Sequence, residues 1–262
     1  LYLKLKKWAE KKVGPEVFIE EGQVTLEGGL FDFKDWIELS RLVSPRKNNF
    51  LFKAQISKEI KYAAQLEKHK LPLTNKLLFF GNSGCGKTMC AKALAQEVNK
   101  KLFIVNLSNI INSKIGETSQ NIKAVFDKVA KENAVLFLDE FDHIGKARGN
   151  DDNDVGEMRR LVNSIIQLID LFPSHSILIA ATNHPEIIDN ALLRRFEIKL
   201  NFELPSKEVL ENYYSKFLSN YDASLIDFER KYEVSFAEAK DYAILQMKKK
   251  LIANIENESS NT

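Results

Sequence analysis

The sequence predicts an α/β fold: a parallel five-stranded sheet sandwiched by helices, followed by a small C-terminal helical domain. Three observations carry this. Five short, nearly continuous apolar runs lie between Lys76 and Phe202, and segments of helical periodicity separate them. Strands that are apolar on both faces belong to a parallel sheet covered on both sides. Beyond Pro205 the strand signals stop and helical patterns alone continue.

The elements follow in order. Residues 1–49 carry no assigned domain; within them "GPEVFIEEGQVTLEGGL" (14–30) alternates weakly between Gly and Pro breakers, the pattern of a short hairpin. "ISKEIKYAAQL" (56–66) has helical character, and Pro72 closes it. The first strand spans Lys76–Phe80. After a Gly-rich loop, Ala91, Leu94, Ala95 and Val98 form the apolar stripe of a helix. "LFIVNL" (102–107) is the second strand, and Ile122, Val125, Phe126 and Val129 mark the next helix. "AVLFLDE" (134–140) is the third strand, ending in two acids. Leu161, Val162, Ile165, Ile166 and Ile169 stripe a further helix. "SILIAATN" (176–183) and "FEIKLNF" (196–202) are the fourth and fifth strands. In the tail, Ser235-Phe-Ala-Glu238 is a capping box that opens a helix. The expected organisation is a nucleotide-binding α/β domain over 50–204 and a helical domain over 205–262 with a frayed end.

Composition sets outer bounds. The 262 residues are 44% apolar and 28% charged with a formal net charge of +2, an ordinary globular balance. That charge makes no global case for nucleic acid or membrane binding. No apolar run approaches membrane-spanning length. The two cysteines, Cys85 and Cys90, flank the Gly-rich loop, where a disulfide would distort it; both are expected as free thiols in a reducing, cytoplasmic setting. No cysteine or histidine pattern has metal-ligand spacing. The chain opens on Leu1 rather than Met, which raises the expectation of further sequence upstream.

Three groups of chemistry-bearing residues fall at strand carboxyl ends, where open parallel sheets bind ligands. "GNSGCGKT" (Gly81, Asn82, Ser83, Gly84, Cys85, Gly86, Lys87, Thr88) fits the phosphate-binding P-loop pattern, with the required strand before it and helix after it. Its backbone N–H groups suit phosphate oxygens, Lys87 suits the β- and γ-phosphates of ATP, and the Thr88 hydroxyl suits Mg²⁺. "VLFLDE" ends in Asp139, placed to hold Mg²⁺ through water, and Glu140, placed to polarise a water for attack on the γ-phosphate. Asn183 ends the fourth strand beside these acids, where it could hold the attacking water or the γ-phosphate. Arg194 and Arg195 precede the fifth strand; if they act on phosphate, the simplest route is across a subunit boundary.

In this order and with a helical tail, "GNSGCGKT", "VLFLDEFDHIG", "IAATN" and "DNALLRRFE" resemble the AAA+ ATPases. The closest likeness is to the branch of membrane-protein extractors, microtubule severers and related bacterial ATPases, over roughly residues 50–250. The resemblance implies a large α/β domain with a helical lid, a hexameric ring, and ATP hydrolysis with Mg²⁺ that remodels, unfolds or disassembles a protein partner. It implies Asn183 as the sensor of the γ-phosphate and Arg195, with Arg194 beside it, as a finger reaching a neighbour's ATP. Such fingers are worth about 10³–10⁵ in rate. It also implies that Lys114, Ile115 and Gly116 face a central pore. There the branch usually carries an aromatic two residues before the Gly; Lys114 stands instead, which departs from the pattern of a polypeptide grip.

Other classes remain as comparisons. A small-molecule kinase has no need of Asn183 followed by the Arg194–Arg195 pair. A nucleic-acid-handling ATPase would gain from a basic stripe that the net charge does not show. A nucleotide-dependent switch within a larger complex is the remaining alternative.

Overall fold

The computed structural model describes residues 18–20, 56–108, 115–146 and 152–260. These divide into two units: 18–20, 56–81 and 87–202 in the first, 82–86 and 203–260 in the second.

The first unit is built on one six-stranded sheet. Its strands are β1 (Phe18–Glu20), β2 (Lys76–Gly81), β3 (Leu102–Asn106), β4 (Val135–Asp139), β5 (Ile177–Thr182) and β6 (Ile198–Phe202), in the order β1-β3-β4-β5-β2-β6. The five strands β2–β6 pair in parallel, as the continuous apolar runs require. β1 adds an antiparallel edge, with Phe18 opposite Ile104 and Glu20 opposite Leu102. The sequence pattern there suggests a short hairpin; its three described residues pair with the β3 edge. The rest of that segment lies outside the described residues.

The helices of this unit include α1 (Ala63–Lys68), α2 (Lys87–Glu97), α3 (Ile115–Glu132), α4 (His143–Lys146), α5 (Asp152–Asp170) and α6 (Asn190–Leu193). The helical run expected over 56–66 is interrupted at Tyr62, where φ is −109° and ψ 21°. α3 and α5 pack on each other and cover one sheet face. Leu78, Val105, Leu136, Leu138, Leu178 and Ala180 point there and meet Ile122, Val125, Val129, Leu161, Ile165 and Ile169 in one core cluster. These are the two helical stripes visible in the sequence. The alternate residues Leu77, Phe79, Val135, Phe137, Ile179 and Ala181 are equally buried, so the second face is covered too, with α2 against β4 and β5.

Four strands are shorter than expected, β4 and β5 by one residue at each end and β3 and β6 at one end. β3 ends at Asn106, whose Oδ1 accepts from the Ser108 N–H at 2.9 Å and the Ser108 hydroxyl at 2.6 Å, turning the chain. β6 starts at Ile198 because Phe196 is used elsewhere: its ring meets Phe141 edge-on at 5.6 Å.

In the second unit α7 (Lys207–Leu218) and α8 (Phe236–Ser260) pack together around Leu210, Tyr214, Phe217, Val234, Ala239, Ala243 and Met247. The connection 219–235 is turns and irregular backbone rather than further helix. Polar bonds anchor it. Tyr214 donates its hydroxyl to the Lys231 carbonyl at 3.0 Å, and the Glu211 carboxylate accepts from both Arg230 and the Tyr232 hydroxyl. The capping box is formed as the spacing predicts. Ser235 Oγ accepts from the Glu238 N–H at 3.3 Å, and Glu238 Oε2 accepts from the Ser235 N–H at 2.8 Å. Ser235→Ala is expected to lower stability by about 0.5–2 kcal/mol, measured by denaturant unfolding.

Candidate functional site

β2 lies between β5 and β6, while the next strand in sequence, β3, lies on the far side of β4. Chain direction across the sheet reverses at β2, the kind of place where a crevice opens outside strand carboxyl ends. The parallel registers of β4 with β5 and β5 with β2 put Asp139, Thr182 and Gly81 at neighbouring strand ends.

Gly81 has φ +121°, and a Cβ there would stand 2.4 Å from the Phe202 carbonyl oxygen. Close approach of β6 therefore demands this glycine. Gly86 has φ +95°, and α2 begins immediately after it at Lys87. The first turn of α2 leaves orphan N–H groups, the ordinary anion-binding arrangement of a helix N-terminus. Lys87 is only 9% exposed. Its Nζ donates to the Gly81 carbonyl at 2.8 Å and to Asn183 Oδ1 at 2.6 Å. The ammonium thus joins the ends of β2 and β5, bringing Lys87 and Asn183, 96 residues apart, into direct contact. Thr88 follows in the same helical turn and is half-buried.

Within the second unit, Asn82 and Ser83 are exposed and Gly84 has φ +70°. A Cβ on Gly84 would stand 2.6 Å from Ser235 Oγ, and its carbonyl accepts from the Ala237 N–H at 3.3 Å. Sequence reasoning found the capping box but not this contact, which joins residues about 150 apart with no local signal. Cys85 and Cys90 are buried free thiols, as expected.

The acids of "DEFD" occupy three different environments. Asp139 ends β4; burial above all pushes its carboxyl up from the ordinary range. Its hydrogen bond from the Glu140 N–H and the Lys87 charge pull the other way, while Glu140 and Asp142 add to the rise. That N–H lies 3.0 Å from Asp139 Oδ1. Glu140 adopts φ +53°, an uncommon left-handed conformation for a side-chain-bearing residue. Immediately after it, the Phe141 N–H bonds the Ala181 carbonyl at 2.8 Å. Glu140 remains open to solvent, with His143 Nε2 3.6 Å from its Oε2. Asp142 is 3% exposed and accepts from the Thr182 hydroxyl at 2.9 Å; Thr182 Oγ1 in turn accepts from the His184 N–H at 2.9 Å. Asp142 therefore shapes the turn that presents Asn183. The sequence signal was the apolar Phe141 holding Asp142 inward, and it is weak.

These residues fit ATP and Mg²⁺. A nearly buried ammonium stands at a helix start for anionic phosphate, and a half-buried carboxylate with two others close in the chain suits a divalent cation. No cluster of three His, Cys, Asp or Glu with ligating geometry occurs among the described residues. Mg²⁺ needs none, since it commonly keeps several waters and binds one or two carboxylates plus phosphate oxygens.

The remaining expected residues make other contacts or fall outside the described residues. Arg194 is exposed, and Arg195 pairs with Asp170. Lys114 falls outside the described residues, and Ile115 and Gly116 begin α3. No helix among the described residues is long and apolar enough to cross a membrane.

Comparison with known proteins bears on the same segment. Residues 77–204 match the model of the ATPase family associated with various cellular activities (AAA). An uncharacterized AAA family ATPase, y4kL of Sinorhizobium fredii, is 40% identical over 153 residues, 58% of this chain and 46% of that protein. The peroxisomal ATPase PEX6 of Saccharomyces cerevisiae is 32% identical over 179 residues, 64% of this chain and 17% of that protein. The chain thus spans less than half the length of either relative.

Two outcomes are expected. Gly81→Ala should lower stability by about 1–3 kcal/mol through backbone strain alone, with further loss from the Phe202 contact, whether or not nucleotide is added. For Asp139 the sign follows from its raised pKa: the ionised form is disfavoured by folding, so its cost is present at neutral pH and relieved as pH falls and the carboxyl protonates. Asp139→Asn should therefore raise the thermal midpoint without Mg²⁺-nucleotide at neutral pH, and the gain should shrink on acidification. A gain that grows with acid would contradict the buried-carboxylate account.

Proposed function

Because the chain belongs to the AAA ATPase family, we propose that it binds ATP with Mg²⁺ and hydrolyses it. We further propose that copies assemble as a ring, a hexamer by family resemblance, that remodels a protein partner. The observation that carries the ATPase reading is the Lys87 ammonium seated between Gly81 and Asn183, beside the strand that ends in Asp139 and Glu140.

The residues divide the work by burial and charge. The backbone N–H groups of the loop 81–88 and the Lys87 cation bind the phosphates. Bound Mg²⁺ would supply positive charge against the phosphate oxygens, held by Thr88 and, through water, Asp139. Asp139 is half-buried and accepts from the Glu140 N–H, while Glu140 keeps 41% of its side chain exposed, and we assign Glu140 to orient and deprotonate an attacking water. Asn183 touches Lys87, so a change in what the ammonium binds is felt at the end of β5. That is the contact a sensor of the γ-phosphate requires.

The ring reading rests on the Arg194–Arg195 pair, whose hydrogen bonds go to Asn190, Asp170 and Ala191. An arginine of this pair completes the site of an adjoining copy. Lys114, Ile115 and Gly116 precede and begin α3 and form the proposed contact with a protein substrate in the ring's centre, on the strength of the family resemblance. The two free buried thiols fit a cytoplasmic setting.

Lys87→Ala is expected to weaken ATP binding by about 10- to 100-fold, the loss of one hydrogen bond to a charged group, read by calorimetry. Retained affinity would remove the loop from this role. Glu140→Gln should keep ATP affinity while turnover falls by about 10²–10⁴; undiminished phosphate release would take Glu140 out of the mechanism.

A further inference from the structure

The turn after β4 buries most of its side chains and leaves two outward. Between Glu140 and Ile144, Phe141 and Ile144 sit in the core and Asp142 is bonded to Thr182. Backbone bonds fix the turn on two sides. The His143 N–H donates to the Glu140 carbonyl at 3.0 Å, and the Phe141 N–H reaches the Ala181 carbonyl of β5. Glu140 and His143, three residues apart, are the two side chains that stay partly exposed, and they face each other: His143 Nε2 stands 3.6 Å from Glu140 Oε2. The next histidine of this strand edge, His184, is engaged elsewhere, with its Nδ1 3.1 Å from Glu186 Oε1.

A partly solvated glutamate has no direction of its own. Each of its aliphatic torsions has three staggered wells and its last torsion is broad, whereas a general base works only within hydrogen-bond reach of the proton it takes. The left-handed backbone at Glu140 sets where the side chain starts, not where the carboxylate ends. The His143 ring supplies the missing constraint. It is rigid, its place is set by the buried residues on either side of it, and it faces one carboxylate oxygen while leaving the other for water. The gap is slightly longer than a hydrogen bond, and a small rotation about the carboxylate's broad terminal torsion closes it. A pair this solvated adds little stability; what it supplies is direction.

We propose that His143 is a positioning residue for Glu140: with its hydrogen on Nε2, the ring donates to Oε2 and so aims Oε1 at the attacking water. This rests on the ATPase reading above and on Glu140 as its base. Water gives its proton to Oε1 as its oxygen bonds the γ-phosphorus and the bridging P–O bond breaks toward ADP. His143 neither gains nor loses a proton in that step; it holds the carboxylate that does.

The test is steady-state ATP turnover of the full chain, with thermal midpoints as a control on folding. His143→Ala is expected to lower kcat about three- to tenfold, the worth of one hydrogen bond, with KM for ATP and the midpoint unchanged. His143→Gln keeps an N–H donor near the place of Nε2 but offers no base, and it is expected to restore most of kcat. In a Glu140→Gln chain, adding His143→Ala should cost nothing more, because the carboxylate that the ring aims is gone. Undiminished kcat in His143→Ala overturns the proposal, and so does a rise in KM in place of the fall in kcat. His143→Gln as slow as His143→Ala also overturns it, since the ring would then carry the proton rather than hold the carboxylate. All three leave the ATPase reading standing. Turnover that survives Glu140→Gln undiminished overturns Glu140 as the base and this assignment with it.

Discussion

The nearly buried ammonium of Lys87 is the contact on which the site depends. A cation so placed needs oxygen ligands. Here a backbone carbonyl at the end of β2 and a side-chain amide just past the end of β5 provide them. Those two strands are neighbours only because β2 is inserted between β5 and β6 rather than beside β3. The connectivity of the sheet is thus the cause and the Lys87–Asn183 contact the consequence. A phosphate arriving at the helix start would meet a cation that two neutral oxygens, the Gly81 carbonyl and Asn183 Oδ1, help to hold.

The acidic turn shows the same logic with opposite charge. Three carboxylates within four residues would repel if equally solvated and equally ionised. Their hydrogen bonds and backbone sort them instead. Asp142 is tied to Thr182, Asp139 is held against its own neighbour's N–H, and Glu140 is thrown outward by a left-handed backbone. That backbone is stabilised on its far side, where the Phe141 N–H bonds the Ala181 carbonyl. Strain at one residue is therefore held by sheet pairing at the next, which is how an uncommon conformation persists. The result is one carboxylate suited to a cation and one suited to water, side by side.

Most of this was legible in the residues. The five parallel strands announced themselves as apolar runs because both sheet faces are covered, and the two striped helices because α3 and α5 each press a single face on the core. The site's members were legible because they sit at strand ends, where apolar pattern gives way to chemistry. What was not legible depends on contacts distant in sequence. A weakly alternating segment carries no signal of which strand it pairs with, so the pairing of β1 with β3 was not foreseen. Asp142 carried no reading of its own, because its partner, Thr182, is 40 residues away. The two arginines were indistinguishable in sequence, since Asp170 is 25 residues from Arg195.

The glycines sharpen this point. A phosphate loop is ordinarily explained by its ligand: glycines let backbone N–H groups approach anionic oxygens. In this chain two of the three are required by protein alone. Gly81 is crowded by the Phe202 carbonyl of β6, and Gly84 by Ser235 at the cap of α8. Both also hold positive φ, so a side chain at either position meets a backbone penalty and a collision together. Substituting them would therefore damage the fold before it tested the ligand. Lys87, Thr88 and Glu140 are the positions where a change reports on chemistry, because their side chains rather than their backbones are what the site uses.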